Sequence, residues 1–438
     1  MAQARSIKRI VGASMIGTTI EWYDFFLFGS AAALVFNTLF FPEADPLTGT
    51  LLAFGTYAIG FVARPLGGLI FGHYGDKLGR KKLLVVSLLM MGGATFAMGL
   101  LPTYADIGIA APLLLIALRL VQGFALGGEW GGAVLIVSEH GDANRRGFWA
   151  SWPQAGAPGG NLLATAVLAV LAAVQSDAAF EAWGWRIPFL LSGLLVGIGL
   201  WIRLSVSESP VFLEAVTKAG DAPAPEKAPI VTVFKRSSRE VFIAMGARFG
   251  ENVSYYILTA FVLVYLTNHV DLPKSVGLNA VLIGSAVHFV TIPLWGLLSD
   301  VIGRRAVSLF GAIGMGLWGF AFFAMLDTAS TVGIVVAVTV GLVLHGAMYG
   351  PQAAFFSELF GTKVRYSGAS IGYQLASIVA GGLAPLIATA LLDSTGASLL
   401  ISVYLAVACA FTVVAVVVSR ETRGTSLRDA ESTAAVTA

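Results

Sequence analysis

Seven ionisable side chains stand inside stretches that are otherwise apolar: the acids Glu21, Asp24, Glu129 and Glu251, and the bases Arg64, Arg119 and Arg248. A charge at the centre of a membrane helix costs roughly 2.5–3.5 kcal/mol on insertion scales, so each is a candidate for function. Two kinds of chemistry suit the set. A carboxylate can exchange a proton, and a guanidinium can hold an anion. Fully ionised, four acids against three bases leave a charge of −1, which one proton cancels. Protonating an acid frees the arginine that it held. That is a route to obligatory coupling between a proton and an anion, although a neutral or zwitterionic ligand also satisfies the arithmetic.

Such residues need helices to hold them in lipid. The chain of 438 residues is 57% hydrophobic and 12% charged, with a mean hydropathy of +0.81. A soluble domain has about 25% charged residues. Twelve apolar segments can be marked, at 10–36, 50–72, 83–101, 111–138, 150–174, 184–204, 240–267, 276–298, 306–326, 331–357, 368–392 and 396–419. Backbone in lipid must satisfy its own hydrogen bonds, so the expected fold is an all-α membrane protein of twelve transmembrane helices. With both termini placed in the cytoplasm, 22 of the 27 lysines and arginines fall on the inner side, as the positive-inside rule requires. Arg5, Lys8 and Arg9 resemble the start of a signal peptide, but the apolar run that follows is long and holds acids, so it reads as the first transmembrane helix.

The segments divide six and six. Residues 1–204 form the first expected bundle, 205–239 an Ala- and Pro-containing cytoplasmic linker, 240–420 the second bundle, and 421–438 a short cytoplasmic tail expected to be disordered. The halves echo one another. Glu21 with Phe25 and Phe26 matches Glu251 with Tyr255 and Tyr256. Gly72, Asp76, Gly79 and Arg80 match Gly296, Asp300, Gly303 and Arg304. Ser138, Glu139 and Arg146 match Ser357, Glu358 and Arg365, and Gln154 matches Gln374. Four matches in one order point to a duplicated six-helix unit with a binding site between the repeats.

Depth along the helices suggests partners. Asp24 lies about 21 Å from the inner end of its segment and Arg119 about 10 Å from the outer end of its own, so the two share a level in a core of about 30 Å. Each is a candidate ion-pair partner of the other. Glu21 lies a turn nearer the midplane. Arg248, Glu251, Asn252, Tyr255 and Thr259 form one polar stripe, either lining a cavity or packing as a salt bridge. Arg64 can reach Glu129 as an inner structural pair, or contact substrate. His288 and His345 each read as a hydrogen-bonded core histidine, with proton relay as the alternative. Tyr23, Gln122, Asn161, Tyr255, Tyr256, Gln352, Tyr373 and Gln374 can orient a hydroxylated ligand; Trp22 and Trp130 serve equally as packing. Gly123, Gly127 and Gly131 recur every four residues, which lets a neighbouring helix approach closely.

Several classes are excluded. Cys409 is the one cysteine, so there is no internal disulfide and no cysteine metal site. No phosphate-binding loop, metal cluster or nucleophile–base set is present. No enzyme, metal, cofactor or nucleic-acid function is expected.

Gly72-His73-Tyr74-Gly75-Asp76-Lys77-Leu78-Gly79-Arg80-Lys81, with its weaker copy at Gly296 to Arg305, resembles the signature loop of the major facilitator superfamily. Arg119, Gln122 and Gly123 resemble its second motif. Glu208-Ser209-Pro210 and the pairs Glu139/Arg146 and Glu358/Arg365 resemble the cytoplasmic charge network of its sugar porters. Glu21-Trp22-Tyr23-Asp24-Phe25, Arg64-Pro65-Leu66-Gly67-Gly68, Gln122 to Gly132 and Trp183 to Phe189 are similar to the metabolite:proton symporter family, and Arg365 to Ala369 with Gly372-Tyr373-Gln374 to its shikimate-transporter branch. The resemblance implies the major facilitator fold of two pseudo-symmetric bundles in a bacterial inner membrane. It also implies a monomeric symporter driven by the proton gradient, importing a small organic acid by alternating access. Asp24, paired with Arg119, would take the proton, unless that pair is purely structural. Asp76, Arg80, Glu139, Arg146, Glu208, Asp300, Arg304, Glu358 and Arg365 would gate the inner mouth. A zwitterionic osmolyte or amino acid is the alternative substrate, though the tail is too short for the coiled coil of osmosensing relatives. Proton-driven export and a transporter-like nutrient sensor are further alternatives.

Overall fold

The computed structural model describes residues 2–78, 80–127, 134, 137–138, 142–205, 237–360, 365–425 and 427. Among them the secondary structure is helical throughout, with no strand. The principal helices are α1 (Ala2–Ala31, continued through a π-turn to Phe40), α2 (Pro46–Leu78), α3 (Arg80–Leu100), α4 (Ala110–Leu126), α5 (Arg146–Val174) and α6 (Arg186–Ser205). After the undescribed stretch 206–236 come α7 (Ser238–Tyr256, continued to His269), α8 (Lys274–Ile302), α9 (Arg304–Leu326) and α10 (Thr331–Leu359). The last are α11 (Arg365–Ala376, continued through a π segment to Thr395) and α12 (Leu399–Val418).

Among the described residues nine helices are long and apolar enough to cross a membrane, or ten if the bent pair at 177–184 and 186–202 is one crossing. Val85–Leu100 and Ala110–Leu126 are apolar but shorter. Burial sorts these rods. In their apolar windows α7 is 94% buried and α1 83%, against 39% for α8, α9 and α12. The outer helices therefore turn leucine, valine and phenylalanine outward, among them Leu317, Phe310, Phe411 and Val414. That is how helices solvated by lipid differ from helices solvated by protein. The two most enclosed helices, α1 and α7, are the two that the internal repeat equates.

Two contacts set the frame. Helix α5 runs along both α1 and α8, and α2 meets the π segment of α11, so the first six helices touch the last six along two seams. The α2–α4 crossing is made by glycine. A Cβ on Gly123 would stand 2.0 Å from the Gly60 carbonyl oxygen, and one on Gly127 would stand 1.9 Å from that of Arg64. The close approach read from the glycine spacing is real at these two positions; Gly131 lies outside the described residues. It brings Arg64 and Arg119 into one wall.

One expectation is corrected. The segment after α12 was expected to be disordered, yet its described part docks on the protein. Glu421 accepts hydrogen bonds from the backbone N–H groups of Arg304 (3.0 Å) and Arg305 (3.1 Å), and Thr422 donates to Glu358 (2.8 Å). Composition could not reveal this, because the partners are charged groups on distant helices.

Candidate functional site

The site is easiest to follow from α1. Trp22, Phe25 and Phe26 form an aromatic run on the inner face of that helix. Phe25 and Phe61 lie under the Arg64 guanidinium at 4.2 Å each. Phe25, Phe28 and Tyr57 surround the Arg119 guanidinium at 4.4, 4.3 and 4.7 Å. Two buried arginines are thus held by ring faces, an arrangement that stabilises a cation without neutralising it.

Asp24 and Arg119 are not ion-paired. The Asp24 carboxylate accepts from the Ser192 hydroxyl on α6 at 2.5 Å, on the α3/α6 side of α1. Arg119 donates to the Gln122 side-chain oxygen and, at 3.4 Å, to the Tyr57 carbonyl. Gln122 stands between the two. Its amide donates to Thr95 (2.8 Å) and to the Asp24 backbone carbonyl (3.2 Å). The expectation of direct contact was built on depth alone, and depth does not specify the azimuth of a side chain around its helix. Tyr23 is also corrected: its hydroxyl donates to the Pro188 carbonyl at 2.7 Å and so ties α1 to α6 instead of facing a ligand.

A small cavity of about 20 Å³ opens between the halves, lined by Glu21, Arg64, Gln154, Tyr373 and Gln374 among others. That volume holds about one water molecule, so a substrate needs the halves to part. Arg64 is 1% exposed, and its Nε and Nη2 have no hydrogen-bond partner among the described residues. The sequence reading favoured a structural pair between Arg64 and Glu129. Glu129 lies outside the described residues, and Arg64 stands in the cavity wall. Gln374 donates to the Gly127 carbonyl at 3.3 Å, while its side-chain oxygen has no partner among the described residues. Gln154 donates to the Tyr349 carbonyl at 3.5 Å.

Across the cavity, the α7 stripe is a buried network. Arg248 and Glu251 are ion-paired at 2.7 Å. Arg248 also donates to Gln352 (2.9 Å) and Ser377 (3.2 Å), and lies 3.3 Å above the Tyr373 ring. Asn252 donates to Ser377 at 3.0 Å. The second Glu251 oxygen meets His345 Nε2 at 2.8 Å, and His345 Nδ1 meets His288 Nε2 at 2.9 Å. The two histidines, read from sequence as separate core residues, are members of one chain. No spacing rule joins them, because they sit on different helices 57 residues apart. Tyr255 packs against both rings; Tyr256 instead joins Phe25, Tyr57 and Phe61 in an aromatic cluster across the halves. Asn161 on α5 donates to Ser285 on α8 at 3.0 Å. Trp22 packs against Phe26 and, at 5.6 Å, Arg64.

A second charge cluster closes the arginine-rich end. Arg146, at the start of α5, pairs with Glu358, at the end of α10, at 2.8 Å. Arg304 pairs with Asp300 (2.7 Å) and Glu358 (3.2 Å). Asp300 also accepts from the backbone N–H groups of Gly147 (2.8 Å) and Phe148 (2.9 Å), so a carboxylate of α8 caps the N-terminus of α5. Sequence paired Glu358 with Arg365. Instead Glu358 bridges the halves to Arg146, and Arg365 donates to the Leu427 carbonyl at 2.7 Å. The reason is the docking of α5 on α8, which carries Arg146 to the end of α10. Glu139 and Glu208 lie outside the described residues, as do the side chains of Asp76 and Arg80. At the opposite end, Lys274 and Glu181 pair at 3.0 Å across the halves.

Residues 10–433 match the family model described as sugar (and other) transporter. The chain belongs to that family. This transporter is thus a multi-pass membrane protein of the major facilitator superfamily. It is 42% identical to the shikimate transporter of Escherichia coli over 88% of each chain. It is 40% identical to an inner membrane metabolite transport protein of the same organism over 96% of each chain. It is 33% identical to the proline/betaine transporter of Escherichia coli over 97% of this chain and 85% of that one. Its fold matches that of the proton:xylose symporter bound to 6-bromo-6-deoxy-D-glucose, with a TM-score of 0.76, 17% identity, and coverage of 98% of this chain and 99% of that one.

Proposed function

We propose that this transporter imports a small hydroxylated carboxylate, shikimate or a close analogue, together with a proton. The observation that carries the reading is Arg64: a buried guanidinium in the cavity wall whose Nε and Nη2 have no hydrogen-bond partner among the described residues. A buried, unsatisfied cationic donor is costly and suits a carboxylate that completes it. Gln154, Tyr373 and Gln374 are placed to meet hydroxyl groups, and Arg248 stands behind Tyr373 as a second cation. The 42% identity to a shikimate transporter supports the same class. A zwitterion such as betaine is the second reading, motivated by the 33% identity to a proline/betaine transporter. A quaternary ammonium needs free aromatic faces. Here Arg64 already covers Phe25 and Phe61, and Arg248 covers Tyr373, so the anion is favoured.

In this proposal the coupled proton binds Asp24. Loading it removes the cost of a buried charge with no ion-pair partner among the described residues, and Gln122, bonded to the Asp24 backbone carbonyl and to Arg119, links the two positions. The gradient is the only drive, with no cofactor. Twelve helices cross the inner membrane of a bacterium with both termini in the cytoplasm, including the shorter α3 and α4. Residues 1–204 and 240–420 rock about the cavity, joined by the 205–239 linker, in a monomer. Residues 421–438 then follow on the cytoplasmic side. The Arg146–Glu358 and Asp300–α5 contacts close the cytoplasmic mouth and must break for release. The test is uptake by proteoliposomes of labelled shikimate and labelled betaine, with and without an inward proton gradient. Accumulation of shikimate that depends on the gradient is expected; gradient-dependent accumulation of betaine alone would select the second reading.

A further inference from the structure

Glu251, His345 and His288 make a chain of three buried groups, 2%, 1% and 0% exposed, with contacts of 2.8 and 2.9 Å. Their hydrogen-bond valences leave little freedom. Glu251 is paired with Arg248, so its ionised oxygens only accept. The proton between Glu251 and His345 is therefore on His345 Nε2. A neutral imidazole carries one N–H, so His345 Nδ1 is an acceptor, and the proton between the rings is on His288 Nε2. That leaves His288 Nδ1 as a bare lone pair, and this atom is buried without a partner among the described residues. It is the one place on the chain where a proton can enter without breaking a hydrogen bond.

We propose that Glu251, His345 and His288 form a second proton-binding site of this transporter, one that sets whether Arg248 is free to hold the anion. A proton arriving at His288 Nδ1 lets His288 Nε2 give its proton to His345 Nδ1. His345 Nε2 then gives its proton to the Glu251 oxygen that it faces. One proton has entered, each ring still carries one N–H on the opposite nitrogen, both hydrogen bonds persist in reverse, and Glu251 is neutral. Arg248 has lost its counter-charge while staying above Tyr373, which lines the cavity. An arriving carboxylate replaces that charge. Without the proton, Glu251 competes with the substrate for Arg248. The titratable and charged groups around the chain are Arg248, Tyr255 and Tyr256 from α7, Tyr349 from α10 and Tyr373 from α11. Helix α5 faces it with neutral Asn161, hydrogen-bonded to Ser285 one turn from His288, and α1 with Phe26, packed on Tyr255. Arg248 is the one cation among these groups, so the charge released on Glu251 is felt there first. The proposal rests on proton-coupled anion import but places a proton site in the second half of the chain, apart from Asp24.

Two measurements test it. In proteoliposomes with shikimate as the probe, an inward gradient of one pH unit supports about tenfold accumulation per coupled proton, since a factor of ten is about 1.4 kcal/mol. His345→Gln and His288→Gln are expected to lower accumulation about tenfold at that gradient, the share of one coupled proton, and to flatten the pH dependence of shikimate exchange measured without a gradient. Accumulation at the wild-type level in both variants overturns the relay. The second measurement needs no substrate: nitrogen NMR of the full-length wild-type protein in nanodiscs with 15N-labelled histidine. Two rings should move their proton from Nε2 to Nδ1 as the chain takes up its proton on acidification, and Glu251→Gln should remove that switch. Rings that keep one tautomer throughout overturn the relay, and this result decides if the histidine variants lose exchange as well. Failure of the wild type to accumulate shikimate sinks the transport reading instead, and leaves the NMR to judge the relay.

Discussion

Arg64 shows how much one residue can decide. Its guanidinium is enclosed by rings and leaves two donors without a partner among the described residues. A charge-assisted hydrogen bond contributes about 1.5–3 kcal/mol, so Arg64→Gln should weaken binding of a carboxylate by about 10- to 150-fold. Arg64→Lys should recover only part of the loss, because an ammonium cannot reproduce the planar fork. A thermal-shift titration with shikimate checks both; equal affinity in wild type and Arg64→Gln would remove Arg64 from the binding site. Asp24→Asn mimics the proton-loaded acid in shape and can keep its contact with Ser192. It should retain exchange and lose the share of gradient-driven accumulation that this proton supplies. Normal accumulation by this variant would show that the coupled proton lies elsewhere, which the Glu251 relay would then have to supply.

At the scale of elements, glycine fixes where the arginines stand. Gly127→Ala would put a methyl group 1.9 Å from the Arg64 carbonyl oxygen, backbone that cannot turn aside. Overpacking of this kind costs about 1–3 kcal/mol. The variant should melt at a lower temperature than wild type, whereas Gly12→Ala, with nothing within 4 Å of the added atom, should not. An unchanged melting temperature for Gly127→Ala would mean that α2 and α4 are not held in this contact. The segment after α12 is a second element whose role is positional. Glu421 and Thr422 tie it to Arg304, Arg305 and Glu358, and Arg146 donates to the Thr425 carbonyl at 3.1 Å. It therefore straps the arginine-rich cluster from both halves.

For the whole molecule, the two ends close by different physics. At the arginine-rich end the Arg146–Glu358 pair is 4% and 0% exposed, and removing one member of such a pair costs about 3–5 kcal/mol. At the other end the Lys274–Glu181 pair is 18% and 39% exposed, a surface pair contributing about 0–1 kcal/mol. Arg146→Ala should therefore shift the population toward a form open at the arginine-rich end, and Lys274→Ala should change little. Spin labels on cysteines introduced across that end can measure the separation, since the native Cys409 is buried. A distance distribution unchanged by Arg146→Ala would overturn the gate.

What the sequence determined by itself is what composition and period can encode. Apolar runs of about 20 residues leave the chain no stable choice but helices in lipid, and the repeated motifs at Glu21 and Glu251 reveal the duplication, with α1 and α7 as the two most enclosed helices. Spacing also found the stripe that holds Arg248 and Glu251, because residues three apart share a helix face. Tertiary structure alone decided who meets whom across helices. Depth matched Asp24 to Arg119, but rotation about the helix axis sent the carboxylate to Ser192 and put Gln122 between them. The resemblance to the sugar-porter charge network paired Glu358 with Arg365, but the α5–α8 contact brought Arg146 instead. Nothing in one dimension joins His288, His345 and Glu251. Their contact depends on the rotation of three packed helices, and a sequence does not state angles between helices.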